Sequence, residues 1–169
     1  LARIGKYNEA IESYIKTLEI NPTNAEAWYL KGSALYALGE YEDAIESFNR
    51  ALEIKPDHVP AHFDKGRALC DLKMYGEAVT SFDNALAIQE KFVEALYHKG
   101  IALTRLFRYD DALGAFDQAL KIRPNFGHVW TGKGIALSSL GKDQDAVSFF
   151  HKALGIDPKD ASASYYLGV

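Results

Sequence analysis

Apolar residues recur along the chain at intervals of three and four, the spacing of one face of an α-helix. Ala44, Ile45, Phe48, Ala51 and Leu52 form one such face. Alternating apolar and polar positions, typical of β-strands, do not organise the chain. We therefore predict an all-α fold. Its helices are expected near residues 7–20, 25–38, 41–54, 59–72, 75–88, 93–106, 109–122, 127–140 and 143–156.

The helical pattern repeats with a period of 34 residues, which indicates a repeat architecture. Glycine occupies one column at this period: Gly32, Gly66, Gly100, Gly134 and Gly168. An aromatic column follows a column of alanines, at Tyr14, Phe48, Phe82, Phe116 and Phe150. Proline ends most units, at Pro22, Pro56, Pro124 and Pro158. The period predicts full units over 25–58, 59–92, 93–126 and 127–160, with partial units over 1–24 and 161–169.

These columns resemble the tetratricopeptide repeat over the whole chain. The resemblance implies a single array, a right-handed α-α superhelix (solenoid) of stacked antiparallel helix pairs. Three kinds of departure are visible. His62, Leu96 and Ser164 stand in the column of Trp28 and Trp130, and Glu90 replaces the unit-ending proline. Lysine replaces the leucine before the column glycine, at Lys31, Lys65, Lys99 and Lys133. The helix before Glu90 is expected either to end near residue 88 or to run on further.

The ends of the helices carry recognisable signals. Thr23 and Glu26 have the spacing of a capping box at the start of a helix. Gly39 and Gly141 suit turns between the two helices of a unit. The glycine column marks positions where helices approach closely, so a larger residue at Gly100 should overpack the pair, at a cost of about 1–3 kcal/mol.

Composition excludes several classes of protein. The formal net charge is -4, which disfavours binding to nucleic acid. The single cysteine, Cys70, rules out an intramolecular disulfide or a cysteine zinc site. The longest apolar run, residues 34–38, is too short to cross a membrane. With no leader pattern at its start, the chain is expected to be cytoplasmic, and its lack of an initiator Met suggests an excerpt of a longer protein.

No constellation of catalytic residues stands out. Gly132 lies in a helical pattern rather than after a strand, so it does not indicate a phosphate loop. His58 and His62 lie four residues apart at a helix start, where a surface or capping role is favoured over metal binding. His98 and His128 lie on neighbouring first helices and could approach each other, but a metal-binding role for this pair is not favoured. We expect no enzymatic activity, no metal and no cofactor.

The resemblance implies that the first helix of each unit lines a concave groove on which partner peptides lie. The exposed positions of these helices change in character from unit to unit, as expected of a surface matched to one ligand. The predicted peptide-binding residues are Tyr29, Ser33, Tyr36, Phe63, Arg67, Cys70, Asp71, Tyr97, Ile101, Thr104, Arg105, Thr131 and Ile135.

One family subtype, the carboxylate clamp, holds chaperone tails with Lys, Asn and Arg side chains at groove positions. The matching positions here lack that cationic set, so a chaperone tail is not expected. Aromatic residues favour a partner that offers apolar side chains. The predicted function is a protein–protein interaction scaffold or adaptor. Two alternatives stay open: a regulatory or substrate-docking arm of a larger enzyme, and end-to-end self-association through Leu1 and residues 165–167.

Overall fold

A computed structural model describes the backbone of residues 2–168 and the side chains of residues 5–168. This part of the chain contains ten α-helices and no β-strand. In chain order they are α1 (Ala2–Ile20), α2 (Ala25–Leu38), α3 (Tyr41–Ile54), α4 (Val59–Asp71), α5 (Tyr75–Ile88), α6 (Val93–Arg105), α7 (Tyr109–Ile122), α8 (Gly127–Ser139), α9 (Asp143–Ile156) and α10 (Ala161–Leu167). The predicted all-α fold of helical repeats is confirmed.

The helices fall into two compact units, residues 1–89 with α1 to α5 and residues 90–169 with α6 to α10. The observed bounds of α2 to α9 lie within one residue of the predicted ones. The single continuous array, with its repeat boundaries, stays a prediction.

The start of α1 differs from the prediction. This helix begins at Ala2 rather than near residue 7, and Gly5 lies inside it. A glycine in a helix interior costs only about 1 kcal/mol relative to alanine, so the hydrogen bonds of an additional turn can offset it. At the other uncertain place, α5 ends at Ile88 despite Glu90, and the backbone N–H of Gln89 bonds to the carbonyl of Ala85 at 2.9 Å.

Polar side chains fix the starts of the first helices α2 and α4. Asn24 Oδ1 accepts a hydrogen bond from the backbone N–H of Ala27 at 3.0 Å, so Asn24 caps α2. The predicted capping role of Thr23 is wrong, because its hydroxyl instead donates to Asn21. His58 caps α4 in the same way through its ring Nδ1, which accepts from the N–H of Ala61 at 3.2 Å. The capping role favoured for His58 is confirmed.

Four glycines of the repeated column lie against the phenylalanine of the following helix, whereas the fifth, Gly168, ends α10 with a φ of 73°. A Cβ atom added at Gly100 would lie 2.5 Å from the nearest ring carbon of Phe116. In the other pairs an added Cβ atom would lie 2.5–2.7 Å from the nearest carbon of the phenylalanine ring. The pairs are Gly32–Phe48, Gly66–Phe82, Gly100–Phe116 and Gly134–Phe150. These phenylalanines are at most 2% exposed. The predicted close approach of the two helices in each unit is therefore confirmed.

The turn inside each full unit places one residue in the left-handed region. Gly39 and Gly141 adopt φ values of 85° and 75° there, as their predicted turn role requires. Lys73 and Phe107 occupy the same position in the two intervening units, both with φ of 61°. A residue with a Cβ atom costs about 1–2 kcal/mol in this conformation. Phe107 is also 78% exposed, so its backbone strain is not offset by burial of the ring.

The tryptophan column anchors the starts of three first helices, α2, α4 and α8, to the loops before them. Trp28 Nε1 donates to the carbonyl of Pro22 at 2.9 Å, and Trp130 makes the same bond to Pro124 at 2.8 Å. His62 replaces the tryptophan without loss of this bond, since its Nε2 lies 2.8 Å from the carbonyl of Pro56. This contact explains why a histidine is tolerated in that column.

Candidate functional site

Within residues 1–89, the predicted residues of α2 and α4 form one continuous surface, which we term the α2–α4 face. It consists of Tyr29 and Tyr36 from α2 with Phe63, Arg67 and Asp71 from α4. Four of the five side chains are half-buried, and Asp71 is exposed. The two tyrosines also pack on the core cluster around Phe48. Their rings are thus held by the core while part of each surface faces solvent.

A chain of hydrogen bonds runs across this face. The hydroxyl of Tyr36 donates to Asp71 Oδ2 at 2.7 Å and accepts from Arg67 Nη2 at 3.2 Å. Arg67 Nη1 also donates to Asp64 Oδ1 at 3.1 Å, and the Tyr29 hydroxyl donates to Asp64 Oδ2 at 3.0 Å. The guanidinium of Arg67 lies 4.7 Å from the centre of the Tyr36 ring, within cation–π distance. Every polar group of the network therefore has a fixed partner.

Burial and neighbouring carboxylates raise the pKa values of two tyrosines on this face and of the adjacent Cys70. Burial and the hydrogen bond to Asp71 raise the pKa of Tyr36 to about 12. Burial and Asp64 also raise the pKa of Tyr29. The pKa of the Cys70 thiol rises to about 11, again through burial and then Asp71. At neutral pH both tyrosines are hydrogen-bond donors, and Cys70 is an unreactive thiol.

Residues 29 positions apart meet where one first helix adjoins the start of the next. The rings of Tyr29 and His58 lie 4.8 Å apart, and those of Tyr97 and Phe126 lie 5.5 Å apart. The Nε2 of His58 also lies 3.2 Å from Glu26 Oε2. Because Nδ1 of this ring accepts a hydrogen bond, Nε2 carries the proton and donates it to Glu26.

Within residues 90–169, another pair of residues 29 positions apart, Thr131 and Asp160, makes a polar contact. Thr131 Oγ1 donates to Asp160 Oδ2 at 2.6 Å, while Asp160 Oδ1 accepts from the N–H groups of Ser162 and Ala163 and caps α10. Burial opposes ionisation of Asp160, but these hydrogen bonds outweigh it and lower its pKa. Thr131 is only 5% exposed. The expectation that Thr131 lies on the exposed surface is therefore wrong, because its short side chain is covered by Asp160.

Residues 90–169 also form an open cavity of about 260 Å³. We term it the α6–α10 cavity, since α6, α8 and α10 all contribute to its walls. Four predicted residues meet there, Ile101, Thr104 and Arg105 from α6 and Ile135 from α8. The other four lining residues were not predicted as part of the site; they are Phe107, Tyr109, Ser139 and Tyr166.

Comparison with known families agrees with this architecture. Models of the tetratricopeptide repeat match residues 1–59, 35–104, 93–126 and 127–160. The chain belongs to the tetratricopeptide-repeat family. No curated protein matches the sequence.

Several solved structures resemble this tetratricopeptide-repeat protein. A crystal structure of MamA is 27% identical, with a TM-score of 0.87, over 93% of this chain and 92% of that one. Residues 41 to the end of MamA from Desulfovibrio magneticus RS-1 are 22% identical, with a TM-score of 0.87 over 95% and 90% of the two chains. YrrB, described as having an unusual peptide-binding site, is 22% identical, with a TM-score of 0.87 over 100% and 87%. These likenesses show a shared fold.

The predicted binding residues of this tetratricopeptide-repeat protein thus separate into two groups. One group lies on or beside the α2–α4 face, where Ser33 and Cys70 are half-buried neighbours. The other lies at the α6–α10 cavity, except for Tyr97, whose ring packs against Phe116 and Phe126, and the buried Thr131. A role for any of them in peptide binding stays a prediction.

Asp64 was missed as a member of the site. A signal for it exists in the sequence, because a tyrosine is followed by an aspartate 35 residues later at both Tyr29 and Tyr36. That spacing is one residue longer than the repeat and joins neighbouring first helices.

None of the helices within residues 2–168 is long and apolar enough to cross a membrane. No group of three or more His, Cys, Asp or Glu side chains among residues 5–168 is arranged to hold a metal ion.

Proposed function

We propose that this protein is a protein-interaction scaffold that holds a peptide segment of its partner against the first helices of its repeats. The family and the structures of MamA and YrrB support the scaffold role. The peptide-binding site described for YrrB supports a peptide as the ligand. The single observation that carries the proposal is the α2–α4 face, where half-buried aromatic rings and fixed polar groups lie side by side.

The α2–α4 face has the properties of a binding surface. Tyrosine and arginine are enriched among the residues that dominate binding energies at protein interfaces. Its side chains are already fixed by the Tyr29–Asp64 and Tyr36–Asp71 hydrogen bonds, so binding immobilises few additional rotamers. The rings offer apolar area, while the tyrosine hydroxyl oxygens can accept hydrogen bonds from a peptide backbone. We therefore propose a partner with apolar side chains.

The same network supports the exclusion of a chaperone tail as the ligand. A clamp for a terminal carboxylate requires cationic groups that are free to bind it. The guanidinium of Arg67 instead donates to Asp64 and to the Tyr36 hydroxyl. We infer that Arg67 holds the face together rather than binding a partner's carboxylate.

Selection from a library of displayed random 12-residue peptides tests the proposal. Enriched peptides are synthesised and their affinities for the full chain are measured by fluorescence anisotropy. Tyr36→Ala combined with Phe63→Ala should weaken binding of a peptide seated on the α2–α4 face about tenfold or more. The matched control combines Ile54→Ala with Ile88→Ala, two partly exposed residues of second helices, and should leave affinity unchanged. Failure to enrich any peptide would contradict the proposal.

A second candidate function, self-association through α10, is favoured by one observation. Tyr165 is 80% exposed and Tyr166 is 45% exposed, so α10 presents aromatic surface to solvent. Sedimentation velocity at rising concentration should show association that Tyr165→Ser weakens. A constant monomer would contradict this candidate. The alternative role as a docking arm of a larger enzyme stays a prediction, as does the cytoplasmic location.

A further inference from the structure

The α6–α10 cavity differs in character from the α2–α4 face. Its walls include two isoleucines, Ile101 and Ile135, and three aromatic side chains. A volume of about 260 Å³ exceeds that of an apolar cavity of about 150 Å³, which is known to accept benzene. The space is therefore sufficient for one bulky apolar side chain of a ligand.

Arg105 is the charged residue of the cavity lining, and it lies at the exposed end of α6. Other described arginines are held by nearby carboxylates, such as Arg108 by Asp111 and Arg123 by Glu94. For Arg105, no carboxylate in the described part of the chain lies within the 4.0 Å of an ion pair. Its guanidinium is thus available to a carboxylate supplied by a ligand.

Phe107 supplies a second, independent observation. It lies in the left-handed region at a position where two other units have glycine, and 78% of its surface is exposed. Its ring contacts Tyr109 edge-on, with centroids 6.3 Å apart, and both residues line the cavity. Backbone strain held at the rim of a cavity points to a role in binding, because folding alone gains little from an exposed ring.

We propose that the α6–α10 cavity binds an internal segment of a partner protein in which an Asp or Glu neighbours a bulky apolar side chain. The apolar side chain enters between Ile101 and Ile135 and is covered by Phe107, while the acidic side chain pairs with Arg105. The cavity is open to solvent, so a chain can continue past it in both directions. This inference rests on the proposed scaffold function and specifies the ligand chemistry of one part of the site.

The peptide selection described above also tests this inference. Enriched peptides are synthesised with acetylated and amidated ends, so that any carboxylate belongs to a side chain. We expect enrichment of Asp or Glu beside Leu, Ile, Met, Phe or Trp. Replacing the acid with its amide should weaken binding to the native chain about tenfold, and the affinity should fall as salt rises. The same replacement should change little in the Arg105→Gln variant.

Protein variants separate binding from folding. Arg105→Gln should lower affinity about tenfold, whereas Arg50→Gln, an exposed arginine paired with Glu53, is the matched control and should not. Phe107→Gly should bind more weakly although it unfolds at the same or higher urea concentration, since it removes strain along with the ring. Peptide addition should shift the methyl NMR signals of Ile101 and Ile135.

The outcomes distinguish this inference from the broader proposal. Peptides that lack acidic residues, or that lose affinity only in the Tyr36→Ala and Phe63→Ala variant, would overturn the cavity inference and leave the scaffold function in place. Binding only by peptides with a free C-terminal carboxylate would overturn the internal acidic segment. Enrichment of no peptide at all would overturn both.

Discussion

Gly100→Ala tests whether the helix pairs owe their close approach to the glycine column. Two effects of opposite sign act at this position. Alanine is favoured over glycine in a helix interior by about 1 kcal/mol. The added Cβ atom, however, would lie 2.5 Å from Phe116 Cε1 and 2.7 Å from its Cζ.

The ring cannot retreat from this contact. Phe116 is 0% exposed, and a Cβ atom at Gly132 would lie 2.8 Å from the same ring. Overpacking of this kind costs about 1–3 kcal/mol. Gly100→Ala should therefore lower the free energy of unfolding by as much as about 2 kcal/mol, despite the gain in helix propensity.

Gly114→Ala provides the matched control. Gly114 lies inside α7 with no neighbouring atom within 4 Å of an added Cβ, so this variant should gain about 1 kcal/mol from propensity alone. The difference between the two variants isolates the overpacking cost. Urea denaturation followed by circular dichroism measures it. If Gly100→Ala were as stable as Gly114→Ala, the packing explanation of the glycine column would be wrong.

Three further predictions concern single side chains. Lys73→Gly should raise the unfolding temperature, because glycine removes the cost of the left-handed backbone at φ 61°; a lower temperature would contradict this explanation. Asp160→Ala should lower the free energy of unfolding by about 1–2 kcal/mol through loss of the α10 cap. Because the folded pKa of Asp160 is lowered, its stabilising effect should be full above about pH 4 and disappear as pH falls through that lowered pKa. This is measured by comparing urea midpoints of native and variant chains at pH 7 and pH 3, where equal differences would refute it. Tyr36 should ionise near pH 12 rather than 10 in an absorbance titration compared with Tyr36→Phe. The stability that its protonated hydroxyl supplies should be full below about pH 10 and lost as pH rises through about 12. Ionisation near pH 10 would contradict both the burial of the Tyr36 hydroxyl and its hydrogen bond to Asp71.

The period predicted the helices well because it reports burial, which dominates the structure of each repeat. Gly100 and Phe116 could be recognised as packing residues, since their type is maintained through successive units. The burial of Thr131 could not be predicted in the same way. Its column holds the larger residues Tyr29, Phe63 and Tyr97 in other units, and its exposure depends on a contact with Asp160, 29 residues later.

The cavity was only half predicted for a different reason. Assigning the groove to first helices found Ile101 and Arg105 but excluded the following turn, where Phe107 and Tyr109 complete the walls. Phe107 did carry a signal, because it stands where Gly39 and Gly141 stand in other units. Its left-handed backbone conformation, however, is unusual for a phenylalanine and could not be predicted from the residue type.

The contact between each glycine and its phenylalanine also bears on how the chain folds. Gly32 and Phe48 are sixteen residues apart in sequence, and the other three pairs have the same separation. Closing loops of this size takes far less than a millisecond, and proteins rich in such local contacts fold rapidly. Each helical hairpin can therefore close around its own aromatic ring before neighbouring repeats are in place, so folding can begin at several points along the chain.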